Sequence, residues 1–131
     1  MRSFARLDER SRKDVIEGLL GTLLFVNECY LRRFPGVPWL YESGIRYEEE
    51  PPGRDDWQDI EETLHRRNGD CEDLAAWRVA ELRVRTGEPA GFEVTVEDLP
   101  DASGEIVTTY HIAVRRGDGR IEDPSRLLGM R

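Results

Sequence analysis

From residue 15 to residue 31 apolar side chains recur at helical spacing: Val15, Ile16, Leu19, Leu20, Leu23, Leu24, Tyr30 and Leu31, with Asn27 on the same line. Ser11 and Asp14 precede them as a capping box. The pattern predicts a helix over 12–32 whose stripe faces the core, with Cys29 a packed core thiol. Pro35 and Pro38 forbid its continuation, so a loop pinned by aromatics follows. Pro51-Pro52-Gly53 breaks the chain again. Asp55 or Asp56 then caps a second helix over 57–67, with Trp57, Ile60 and Leu64 on one face. Asn68-Gly69 ends it, because both residues tolerate the left-handed conformation. Asp70 reads as the N-cap of a third helix, completed by Asp73 three residues on. Leu74, Ala75, Val79 and Leu82 give that helix its core stripe, and Gly87-Glu88-Pro89 ends it.

From residue 90 the period drops to two. Gly91 to Val96 and Ile106 to Val114 alternate as strands, with Leu99 to Gly104 as the hairpin loop. Gly117-Asp118-Gly119 is a tighter turn, Arg120 to Asp123 starts a third strand, and Pro124 stops it. Helices first and an antiparallel meander second predict an α+β fold, helices packed on a sheet of three or four strands.

A chain of 131 residues fits a single domain spanning 1–131. Its net charge of −8 argues against nucleic acid and anionic membrane as partners. Eight acids against two arginines in residues 45–62 supply most of that charge. The apolar run Leu19 to Val26 is too short to span a bilayer, and no secretory signal is visible. Two cysteines, Cys29 and Cys71, make a poor disulfide framework. The expectation is a cytoplasmic protein with reduced thiols.

Candidate chemistry gathers at Cys71, in the first turn of the third helix. Helix N-terminal N–H groups stabilise a thiolate, the reactive form of the thiol. His111 lies in the second strand and Asp123 in the third, where antiparallel neighbours bring them to one face. A sheet packed on the third helix would then bring Cys71 to the imidazole. In such a set the imidazole takes the thiol proton and returns it to the leaving group, while the carboxylate orients the ring. The Cys71 amide would form half of an oxyanion hole. Asp70, Glu72 and Asp73 oppose this, since nearby negative charge raises a thiol pKa. The expectation is that Asp73 is occupied in capping and that Glu72 points to solvent. The same acids with Cys71 lack the paired Cys or His spacing of a metal site, so no metal is expected. His65 reads as a solvated histidine near a helix end.

Gly69-Asp70-Cys71-Glu72-Asp73-Leu74-Ala75, Tyr110-His111-Ile112-Ala113-Val114 and Ile121-Glu122-Asp123-Pro124-Ser125 together resemble the transglutaminase-like branch of the papain-like cysteine enzymes. The likeness covers residues 57–126, the catalytic core it implies, behind an N-terminal segment of helix and loops over 1–56. Asn27 to Tyr47 is in addition similar to small transglutaminase-like proteins of tailed phages and prophages. The resemblance implies a papain-like fold, with Cys71 as nucleophile, His111 as base and acid, and Asp123 as orienter. It implies a second oxyanion donor upstream of the cysteine, for which Trp57, Gln58 and Tyr47 are the candidates. The expected activity is acyl transfer on amide bonds through a thioester: peptide or isopeptide hydrolysis, or glutamine transamidation or deamidation. The substrate would be a protein or peptide, and the chemistry needs no cofactor. The alternative keeps the fold without catalysis, as a binding module or a phage-assembly module with a phage structural protein as partner.

Overall fold

The computed structural model describes residues 9–49 and 56–131. Its elements are α1 (Glu9–Arg33), β1 (Arg46–Tyr47), α2 (Ile60–Arg66), β2 (Asn68–Gly69), α3 (Cys71–Glu81), β3 (Gly91–Pro100), β4 (Ile106–Arg115), β5 (Ile121–Glu122) and α4 (Pro124–Leu127). Strands β3, β4 and β5 form an antiparallel sheet in that order, and α1 and α3 pack against it. The mixed helix-and-sheet layout expected from the sequence is present. One buried cluster runs from Ile16 to Leu128 and holds Trp77, Tyr110 and Ile112 near its centre. Among the described residues no helix is long and apolar enough to cross a membrane.

Helix α1 starts before its expected cap, so Ser11 lies inside it. Glu9 and Arg10 are good helix formers, and an interior serine costs only tenths of a kcal/mol, so the capping box does not hold the boundary. Ile16, Leu20, Leu23, Leu24, Asn27 and Leu31 are buried, while Val15 and Leu19 from the same expected stripe are exposed. Cys29 is exposed too, which corrects its reading as a core thiol. It falls between Asn27 and Leu31, and at 100° per residue that turns it away from both.

Helix α2 is shorter than expected. Its cap is Asp59, whose Oδ1 accepts from the Glu62 N–H at 2.9 Å. Pro51-Pro52-Gly53 and Asp55 lie outside the described residues. Asp59 wins over Asp56 because the Gln58 N–H is drawn to Asp73 at 2.7 Å, which keeps residues 57 and 58 out of the helix. The left-handed residue that ends α2 is Arg67 (φ 69°), not Asn68 or Gly69. Those two instead form β2, parallel to β1 with Arg46 opposite Asn68 and Tyr47 opposite Gly69. Neither short strand carries enough alternation to be read from sequence. Gly69 is needed for close approach: a Cβ there would stand 3.2 Å from both Asp73 Cβ and Leu74 Cδ2.

The Asp70 and Asp73 capping box opens α3 as expected. A single wide turn, Leu82–Thr86, extends the helix to Gly87, whose φ of 72° closes it. The β3–β4 ladder runs from Gly91 opposite Arg115 to Pro100 opposite Ile106, longer than the alternation alone indicates. Strand β5 stops at Glu122. Asp123 then caps α4, a helix absent from the sequence reading.

Candidate active site

Strand β5 pairs Val114 with Glu122 and Arg115 with Ile121. One step further along that register Asp123 stands by Ala113, on the strand face that alternation also gives His111. The diagonal distance suits a long side chain, and His111 Nε2 lies 2.8 Å from Asp123 Oδ2. Burial raises the Asp123 pKa, but the hydrogen bond and charge of His111, with help from Arg126, outweigh it and hold the carboxyl below its ordinary value. An ionised carboxylate only accepts, so Nε2 carries a hydrogen and donates it to Asp123. In the neutral form of the ring Nδ1 is then a bare lone pair. It is buried and has no hydrogen-bond partner.

Cys71 comes to the same strand by a different contact. Its sulfur receives the N–H of Ile112, the residue after His111, on the side of β4 that two-residue β5 does not reach. The expected hydrogen bond between thiol and imidazole is not formed, because the thiol is turned to Glu72 Oε2 at 3.4 Å. Glu72 is fully buried, which corrects its expected place in solvent. Cys71 keeps 1% of its surface. Burial first, then the charges of Glu72 and Asp70, raise its pKa well above the ordinary 9.0, and the Ile112 N–H offsets this only in part. The thiol therefore holds its proton in this arrangement.

The oxyanion donors expected from the sequence are engaged. The Cys71 N–H donates to Asp70 Oδ1 at 2.7 Å, because the N-cap carboxylate turns onto the first amide of its own helix. Gln58 Nε2 donates to Asn68 O at 3.0 Å and to Thr63 Oγ1 at 3.3 Å, so this side chain braces α2 against β2. Trp57 packs partly against the core and lines an open cleft of about 450 Å³ with Asp59, Glu61, Glu62 and the exposed His65. Tyr47 lies close enough to Asp70 and Cys71 to feel the charge of both. Burial, then the charge of Asp70, raises its pKa, and its hydroxyl donates to that carboxylate.

Two features had no clear signal in the sequence. Ser125 is fully buried beside Asp123, and its Oγ has no hydrogen-bond partner. A second open cleft of about 340 Å³ reaches Asp123 between Arg116, Arg120 and Arg126. All three arginines there are ion-paired, to Glu88 and Glu122, to Asp118, and to Asp123. Asp70, Cys71 and Glu72 can offer three ligand atoms within 4.8 Å of one another, the one such group among the described residues. Both carboxylates are already engaged, Asp70 with the Cys71 N–H and Glu72 with the Cys71 thiol.

The order of residues is thus Cys71 at a helix start, against a strand whose neighbouring residue His111 is oriented by Asp123. Comparison of the chain with protein-family models, curated proteins and solved structures returns no match.

Proposed function

We propose that this protein is a transglutaminase-like, papain-like cysteine acyl transferase that acts on amide bonds of a protein or peptide, with Cys71, His111 and Asp123 as its triad. The observation that carries the reading is the oriented imidazole: Nε2 is held by Asp123 at 2.8 Å, and Nδ1 is left buried with no hydrogen-bond partner. A purely structural histidine has little use for a buried, bare nitrogen, whereas a general base requires one. In the reaction the Cys71 thiol turns from Glu72 to His111 Nδ1 and yields its proton there. The sulfur bonds to the substrate carbonyl carbon, the carbon–nitrogen bond breaks, and His111 returns the proton to the leaving amine. Water or a second amine then attacks the thioester and regenerates the thiol. The Cys71 N–H can meet the oxyanion once the Asp70 carboxylate has turned from it. The resting arrangement is closed and protonated, and substrate binding supplies the change.

A second reading, the same fold as a binding or assembly module, is favoured by one observation: Cys71 is almost fully buried among three acids. One experiment separates the two. The Cys29→Ser protein is incubated with p-nitrophenyl acetate, and with a glutamine-containing peptide, and the Cys71 peptide is examined by mass spectrometry. The acyl-transfer reading expects an acyl adduct on Cys71 that Cys71→Ala abolishes and His111→Ala slows at least about a hundredfold, the lower end of the range for a positioned base. No adduct, or one indifferent to His111→Ala, supports the binding module.

A further inference from the structure

We propose that the outer face of α1 is the interface of a homodimer in which two copies pack their first helices antiparallel, through Gly18, Leu19, Gly21, Thr22, Phe25 and Val26. Residues 18–27 hold no charged side chain, in a chain that is 35% charged. The inner side of this stretch is spent on the core by Leu20, Leu23, Leu24 and Asn27. The outer side remains in solvent, with Leu19 47% exposed, Phe25 60% and Val26 43%. A helix apolar all round is one that is covered on both sides.

The glycines say what kind of cover fits. A Cβ at Gly18 or at Gly21 would meet nothing within 4 Å, so the fold of one copy does not require them. Each costs the helix about 1 kcal/mol relative to alanine. Small residues on an exposed helix face let a second backbone approach closely, with the large side chains of one helix set into the gaps of the other.

The charges at the ends of the stripe choose the occupant. Exposed Asp14 stands at its start and exposed Arg33 at its end. An antiparallel copy, about a two-fold axis between Leu23 and Leu24, sets Asp14 of each copy beside Arg33 of the other. The same register sets Gly18 opposite Cys29, Gly21 opposite Val26 and Thr22 opposite Phe25. The surface is thus complementary to itself, as a two-fold interface must be. A parallel pair would set like charges together. A lipid surface fits less well, since the net charge of −8 repels anionic headgroups.

Sedimentation equilibrium of the reduced protein tests this directly. A concentration-dependent dimer is expected, and Phe25→Glu and Leu19→Arg should each weaken it at least about tenfold, the loss of one buried apolar contact. Both side chains are exposed in one copy, so circular-dichroism melts in dilute protein, where monomers prevail, should stay near wild type and exclude misfolding. Arrangement is read by mild oxidation. Antiparallel pairing offsets the two native Cys29 residues by about 16 Å along the axis, so wild type should form no disulfide dimer, whereas Gly18→Cys should cross-link to Cys29. A wild-type monomer, a dimer that both charge variants leave intact, a Cys29–Cys29 disulfide, or a monomer that sediments with lipid vesicles instead would each overturn the proposal.

Discussion

Helix α3 buries ten of its eleven residues, and three of those ten are acids. Helix α1, packed against it, leaves Val15, Leu19, Phe25 and Val26 in solvent. One helix hides charge and the other shows apolar surface. The two cysteines follow their helices: Cys71 is buried and Cys29 exposed. Each buried acid of α3 has work to do. Glu81 receives the Leu40 N–H at 2.9 Å and Arg78 at 2.8 Å. Asp73 receives the Gln58 and Asp70 N–H groups. Glu72 receives the thiol. Buried acids of this kind are tolerated because their hydrogen bonds replace water. The outer face of α1 has no such compensation within one copy. The contrast separates a helix whose unusual residues are satisfied from one whose unusual residues await a partner.

The largest blow to the contrast would come from Asp73. Removing its carboxylate in Asp73→Ala strands two buried N–H donors and breaks the cap, which should cost about 3 kcal/mol. Urea denaturation measures this, and a loss below about 1 kcal/mol would mean that the α3 acids are not satisfied as described. Thiol chemistry sharpens the same point from the other side. In dilute protein at pH 7.5, where monomers prevail and Cys29 is uncovered, iodoacetamide should modify Cys29 on the order of a hundredfold faster than Cys71, because reaction needs an accessible thiolate. Glu72→Gln removes one of the charges that raise the Cys71 pKa and should narrow the gap. Equal rates in wild type would show that α3 does not seal its cysteine.

A smaller effect appears at high pH. The Cys71 pKa is raised in the folded protein above the ordinary 9.0. Above that value the unfolded chain loses the thiol proton while the native state keeps it, so the native state holds more protons and stability falls as pH rises. The contribution is intact below about pH 9 and declines above it, by at most about 1.4 kcal/mol per pH unit. In a Cys29→Ser background, stability measured from pH 8 to pH 10.5 should therefore fall more steeply than in the same protein carrying Cys71→Ala. Parallel curves would remove the thiol from the account.

What the sequence disclosed follows from how local each feature is. The Asp70 and Asp73 cap is a contact across three residues, and it stands as the pattern implies. The meeting of His111 with Asp123 needed only strand order and a short turn. Glu72 was misread because its burial is set by the elements that close over the start of α3, and no spacing in Asp70 to Asp73 announces them. Asp123 carries two duties, a hydrogen bond with His111 and the cap of α4, and the Pro124 that suggested a strand stop also suits a first helical position. On α1 apolar residues occur on every side, so periodicity could not say which of Val15, Leu19 and Cys29 faced inward.

The smallest change tests the open side of the comparison. Gly21 sits in the middle of α1, where an added methyl group meets nothing. If α1 were an ordinary solvent-facing helix, Gly21→Ala would simply gain helix propensity and stabilise the protein by about 1 kcal/mol. With a second helix packed there, the methyl group lands opposite Val26 of the other copy and holds the backbones apart. The two consequences divide by concentration. In dilute protein, where monomers prevail, thermal denaturation should show Gly21→Ala more stable than wild type. In concentrated protein the advantage should shrink or reverse, because the dimer that stabilises wild type by mass action is weakened in the variant. A gain that is the same at both concentrations would make the glycine a relic of no structural use and leave the exposed face of α1 without its partner.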